Sequence, residues 1–158
     1  MTDSLPDLTD RTLFRDWTKV TIRYADLDPN GHVNNGAINQ FFEDGRVGLR
    51  HRHMRDLPVG ILSGFALVKF SATYRAPLHF PGCVEVGTLV TRIGRSSYEL
   101  GQAIFQKDLC VATAEVVTVH LDRTSGRSSP LPDQVRAILR SLLTAPDEAS
   151  ARAASSGR

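Results

Sequence analysis

Two stretches decide how this chain folds. Trp17-Thr-Lys-Val20-Thr21-Ile22-Arg23-Tyr24 alternates, with Val20, Ile22 and Tyr24 on one face and Thr21 and Arg23 on the other, the period of a half-buried strand. Beyond a polar loop, Asn35-Gly-Ala-Ile38-Asn39-Gln-Phe41-Phe42-Glu43-Asp-Gly-Arg46-Val-Gly-Leu49-Arg50-His-Arg52 changes to a helical period. Ile38, Phe41, Phe42 and Leu49 share one stripe, while Asn39, Glu43, Arg46 and Arg50 lie on another. The run Arg46 to Arg55 reads as a helix C-terminus, where cations complement the dipole, or as a site for a phosphorylated ligand.

After Pro58 and Gly60 the period returns to two. Ala66, Val68, Phe70, Ala72 and Tyr74 alternate with Leu67, Lys69, Ser71 and Thr73; Val84 to Ile93, Ser97 to Lys107 and Leu109 to Leu121 follow as three more strands. Short joints between them predict antiparallel neighbours. Pro130 and Pro132 then open a last short helix, Asp133 to Leu143. Strand, helix, four strands, helix is an α+β layout, one long helix facing a five-stranded antiparallel sheet. Open sheet edges predict pairing with a second copy.

The chain has 158 residues, enough for one core burying roughly 70% of the unfolded surface. Residues 15–143 are expected to form that single domain, with 1–14 an N-terminal extension whose first ten residues fray, and 144–158 a disordered tail rich in Ala and Ser. The longest uncharged stretch, Leu57 to Val68, is twelve residues broken by Pro58, Gly60 and Gly64, short of the ~20 a membrane span needs. With no apolar segment near Met1 to suggest secretion, the expected compartment is the cytoplasm. Nineteen basic against seventeen acidic side chains, with the arginines dispersed, argue against nucleic acid as a partner. Cys83 and Cys110 match no disulfide or metal spacing and read as free, buried thiols.

Chemistry is concentrated between the first strand and the helix, in Tyr24-Ala-Asp26-Leu-Asp28-Pro-Asn30-Gly-His32-Val-Asn34-Asn35-Gly36. Two readings stand for it. Pro29-Asn30-Gly31 is good turn chemistry and Asn34 or Asn35 a good N-cap; equally, carboxylates, an imidazole and amides delivered to a helix N-terminus suit developing negative charge. Calcium is not expected, because Ala37 stands where an EF-hand-like loop needs its bidentate Glu. No serine elbow, phosphate loop or second His at a zinc spacing is present, and no metal site is expected.

The run Arg23-Tyr24-Ala-Asp26-Leu-Asp28-Pro-Asn30-Gly31-His32-Val33-Asn34-Asn35, with Phe41-Phe42-Glu43-Asp44-Gly45-Arg46 after it, resembles the hotdog-fold acyl-CoA thioesterases of the 4-hydroxybenzoyl-CoA thioesterase type. Bacterial members look like R-Y-x-D-x-D-x-x-G-H-V-N-N followed by Y-F-E-E-x-R, and the likeness covers about residues 15 to 122. It implies a hotdog fold, a sheet wrapped around one central helix, and hydrolysis of an acyl thioester to a free acid and coenzyme A without a cofactor. The family's catalytic carboxylate falls on Asp28. The D-x-N-x-H spacing of plant acyl-carrier-protein thioesterases, more distant relatives, falls on Asp28, Asn30 and His32, and the helix-start amide that polarises the carbonyl falls near Asn35. Relatives usually carry Tyr where this chain has Ile38, a position expected to line or support the acyl pocket.

Glu43, two turns along the helix, is read as a second polar wall of the pocket or as the partner of Arg46 or Arg50. Arg75, Arg92 and Arg95 are candidates for the coenzyme A phosphates, while His79 and His120 are expected to be structural. The expected partners are an acyl-CoA or acyl-carrier-protein thioester and a second copy in a homodimer or homotetramer. A non-catalytic thioester-binding hotdog module and a hotdog dehydratase on hydroxyacyl thioesters are the alternatives.

Overall fold

A computed structural model describes residues 5–143; the tail expected over 144–158 lies outside them. Five strands form one antiparallel sheet: β1 (Asp16–Thr21), β2 (Phe65–Tyr74), β3 (Cys83–Ile93), β4 (Ser97–Gln106) and β5 (Leu109–His120), in spatial order β1-β3-β4-β5-β2. The sheet curls around helix α1 (Asn35–Met54), and helix α2 (Asp133–Leu142) closes the far end. This is the hotdog arrangement. Among the described residues no helix is long and apolar enough to cross a membrane.

The alternation read from sequence fills the concave face. Ile38, Phe41 and Phe42 of α1 meet Val84 and Val86 of β3, Ile104 of β4 and Ala112 and Ala114 of β5. Gly45 lets the helix approach the sheet: a Cβ there would lie 2.6 Å from Val86 and 3.0 Å from the Gln102 amide. Gln102 is fully buried yet satisfied, donating to the Phe42 carbonyl and to Thr88 Oγ1 and accepting from Arg46. At the helix C-terminus Arg52 and His53 both bond the Asp16 carboxylate on β1.

Three expectations need correction. Strands β2 and β3 follow one another but do not pair; β2 pairs with β5 and β3 with β1. Residues 75–82 therefore cross beneath the sheet's end, tied by the Ile22 N–H to the Gly82 carbonyl and the Val33 N–H to the Leu78 carbonyl. Second, of the ten residues expected to fray, the described ones, 5–10, are anchored to the sheet through Leu8. Leu8 and Phe14 pack on the convex face against Leu89, Ala103 and Phe105, where Gly87 and Gly101 leave room for them. Third, Tyr24 is not a strand residue: β1 ends at Thr21, and Tyr24 opens a 3-10 turn, exposed, with its ring edge-on to Phe80. Cys83 and Cys110 are free, as expected, but only half-buried.

Candidate active site

The polar loop folds as a tight excursion ending at the N-terminus of α1. Leu27 and Val33 face each other in an antiparallel bridge, the Asp28 N–H donates to the His32 carbonyl, and Gly31 turns the chain with φ +78°, a conformation that glycine adopts without steric cost. Its anchor is Asp26. Buried to 4% exposure, its carboxylate accepts the Arg23 backbone N–H at 2.7 Å and Arg23 Nη2 at 2.8 Å. Burial raises the Asp26 carboxyl, but the hydrogen bonds from the Arg23 side chain and backbone, with that residue's charge, outweigh it and hold the group below the usual carboxylate value.

Asp28, two residues on, is placed differently. Its Oδ1 accepts the backbone N–H groups of Asn30 at 2.9 Å and His32 at 3.1 Å, while its other oxygen takes no hydrogen bond among the described residues. Asp28, His32, Asn35 and Ile38 share a cavity of about 350 Å³ with Tyr74, Arg75 and Leu78. Asn34 caps α1 by accepting the Gly36 N–H at 2.7 Å, and the Ile38 N–H bonds the Asn34 carbonyl. The N–H groups of Asn35 and Ala37 thus lack a protein acceptor among the described residues, and they stand at the positive end of the helix dipole.

Of the residues singled out from sequence, the structure brings Asp28, His32, Asn35, Ile38 and Arg75 together and leaves four elsewhere. Asn30 is exposed, and its contact with Asp28 runs through its backbone N–H. Glu43 is exposed further along α1, where it accepts from Gln40 and forms no ion pair with Arg46 or Arg50. Arg92 and Arg95 lie at the opposite end of the sheet, Arg92 near Glu99 at 3.8 Å and Arg95 where its carbonyl receives Leu131 and Arg136. Arg46 turns inward, half-buried over the Phe70 ring and bonded to Gln102.

Leu78, which lines the cavity, was not read from sequence, and neither were the places of Tyr74 and His79. Tyr74 closes the seam between β2 and α1 by donating to Asn39 Oδ1 at 2.7 Å. His79, expected to be structural, sits edge-on to His32 with ring centroids 5.3 Å apart. Both come from distant segments, and alternation on β2 marks Tyr74 only as inward-facing. His120 does have a structural place, with its Nδ1 2.9 Å from the Pro130 carbonyl and its ring on Phe65. Among the described residues no group of three or more His, Cys, Asp or Glu side chains could hold a metal ion.

Residues 22–139 match the family model of the thioesterase-like superfamily. Solved structures agree over nearly their whole length. A predicted thioesterase from Bacillus stearothermophilus is 27% identical, with a TM-score of 0.73, covering 83% of this chain and 98% of its own. A thioesterase from Thermus thermophilus, complexed with coenzyme A and zinc, is 29% identical with a TM-score of 0.74, covering 85% and 98%. No curated protein matches the chain.

Proposed function

Since the chain belongs to the thioesterase-like superfamily and is a thioester hydrolase, we propose that it hydrolyses an acyl-CoA, with Asp28 as the reacting carboxylate. The observation that carries this reading is the meeting, in one cavity, of a carboxylate oxygen without a protein donor and a helix start with free N–H groups. The thioester carbonyl would accept the Asn35 N–H, which stabilises the oxyanion as it forms. Asp28 then takes a proton from water as hydroxide adds to the carbonyl carbon, or adds itself to form a mixed anhydride that water opens. In either route the C–S bond breaks, the electron pair leaves on sulfur, and the thiolate of coenzyme A takes up a proton. His32 orients the water or the carboxylate from the cavity wall, and Ile38 and Leu78 supply apolar contact for the acyl group.

Coenzyme A as carrier is supported by the Thermus thermophilus relative, which was crystallised with it. A homodimer formed along β2 belongs to the same reading: β2 is an edge strand, Leu67 and Val68 on it are exposed, and the cavity lies at its end. Thiol release from a panel of acyl-CoAs, read with a thiol reagent, is the test. Turnover of at least one member that disappears in Asp28→Asn is expected; no release from any member would overturn the reading. Single turnover in ¹⁸O-water tests for the anhydride: label in the Asp28 carboxylate arises only when water opens an anhydride at the Asp28 carbonyl.

A further inference from the structure

His32 reaches the Asp28 cavity from the loop, and His79 stands beside its ring on the crossing segment, outside the cavity lining. Backbone bonds build this pair. The Val33 N–H donates to the Leu78 carbonyl at 2.9 Å, which sets their chain neighbours His32 and His79 side by side. On the loop, the His32 N–H donates to the Asp28 carboxylate at 3.1 Å and the His32 carbonyl accepts the Asp28 N–H at 2.8 Å. On the crossing segment, the His79 carbonyl accepts Gln106 Nε2 at 3.3 Å and Phe80 packs edge-on against Tyr24. Both histidines are exposed, with ring centres 5.3 Å apart and planes at 67°. His53 and His120 each commit a ring nitrogen to a protein oxygen; the rings of His32 and His79 have no hydrogen-bond partner among the described residues.

Two imidazoles bound to one tetrahedral zinc ion, each at roughly 2.0–2.1 Å, hold their ring centres about 5.2 Å apart. The observed 5.3 Å matches that span. Exposed rings turn about their side-chain bonds without moving the backbone, so a nitrogen of each can face a shared ion at little cost in ordering. Neutral imidazole suits zinc and its transition-metal neighbours. Charge favours a cation as well: the Asp28 carboxylate shares the cavity with His32, and the guanidinium that lines it, Arg75, has the Asp7 carboxylate in its field. No group of three or more His, Cys, Asp or Glu among the described residues could hold a metal ion, so the remaining positions of the tetrahedron fall to water. Such a site exchanges its ion, unlike a structural zinc closed by four protein ligands.

We propose that His32 and His79 form a two-imidazole site for zinc or a similar divalent transition-metal ion, and that its occupation inhibits the enzyme by tying up the His32 ring. The inhibition rests on the hydrolysis reading, in which His32 orients the water or the carboxylate. Binding of the ion does not. His79 serves here as a ligand and takes no part in the reaction.

The test titrates Zn²⁺ into the full chain by calorimetry and follows acyl-CoA turnover by the loss of thioester absorbance, which does not depend on the released thiol staying free of zinc. His79→Phe keeps an aromatic ring against His32 and removes its nitrogens. It is expected to turn over as the wild type without metal and to bind Zn²⁺ at least about tenfold more weakly, the loss that even an outer-shell partner of a metal can cause. The zinc concentration for half inhibition should rise by the same factor, and EDTA should restore the inhibited wild type. Equal zinc affinity in the two chains would overturn the site and place the ion on other side chains. Binding that depends on His79 without slowing turnover would overturn the inhibition. Long-range ¹H–¹⁵N spectra of the wild-type imidazoles test the ligands without any variant: zinc should shift ring nitrogens of His32 and His79 together, and shifts confined to His51, His53 or His120 would refute the assignment. The paired shift in an enzyme that cleaves no acyl-CoA would refute the hydrolysis reading and leave the metal site standing.

Discussion

Asp26 and Asp28 are two residues apart and carry opposite duties. Asp28 keeps one oxygen free, and its Oδ1 accepts two backbone N–H groups, which an Asn side-chain oxygen can also accept. Asp28→Asn is therefore expected to fold as the wild type and to lose at least about 10²-fold in kcat, the usual contribution of a positioned base. Circular dichroism and thiol release check both halves, and wild-type turnover in a folded variant would remove Asp28 from the reaction. His32→Ala should cost less, because orienting a water is more replaceable than accepting its proton. Asp26 is a matter of stability. A carboxyl whose folded value is depressed stabilises the fold above its ordinary value, and that contribution is lost as pH falls through the folded value. Asp26→Ala leaves Arg23 donors without their acceptor and should cost about 1–3 kcal/mol at neutral pH; urea midpoints should converge with the wild type in acid. A gap independent of pH would show that the carboxylate's charge contributes nothing. The motif exposed both aspartates to a reader of the sequence, but only the structure separates them, because the burial of Asp26 is set by the folded chain and not by the spacing of the motif.

Elements explain which parts of the site were readable. The helix and strands are legible because their apolar periods last six residues or more, and the loop is legible because its polar residues are contiguous. Pairing is not local: β2 joins β5, not its successor β3, and the crossing segment 75–82 that results carries Arg75 and Leu78 to the cavity and His79 against the His32 ring. No period in residues 75–82 records that destination, so Leu78 and His79 escape a reading by pattern. Helix α1 offers a test of how tightly the element is held. Ala in place of Gly normally stabilises a helix by about 1 kcal/mol. At Gly45 the added methyl would meet Val86 at 2.6 Å and the Gln102 amide at 3.0 Å, and overpacking typically costs about 1–3 kcal/mol. Gly45→Ala is expected to lower the melting temperature despite its better helix propensity. A raised melting temperature would mean that α1 lifts from the sheet freely.

At the scale of the whole molecule the unanswered surface is β2. One side of this ten-residue strand pairs with β5, and its other side has no neighbour among the described residues. An open row of N–H and C=O groups invites a further strand, and exposed apolar side chains strengthen the invitation. Leu67 is 48% and Val68 58% exposed, and the register slips between Leu67 and Lys69. A partner strand would satisfy the backbone row and cover these side chains, and with the adjoining helix faces should bury more than about 1,000 Å² in total. The wild-type chain is thus expected to scatter light as at least twice its 17.4 kDa. Val68→Asp sets a carboxylate, and its partner's across the axis, into that contact, where like charges repel and lose water. It is expected to shift the mass toward 17.4 kDa and to reduce turnover in parallel, with recovery of both at higher protein concentration. Val47→Asp, at an exposed position of α1 and outside β2, is the control that separates added charge from a broken edge. A Val68→Asp monomer with full activity would show that one chain completes the site alone, and a wild-type monomer would show that β2 is left open.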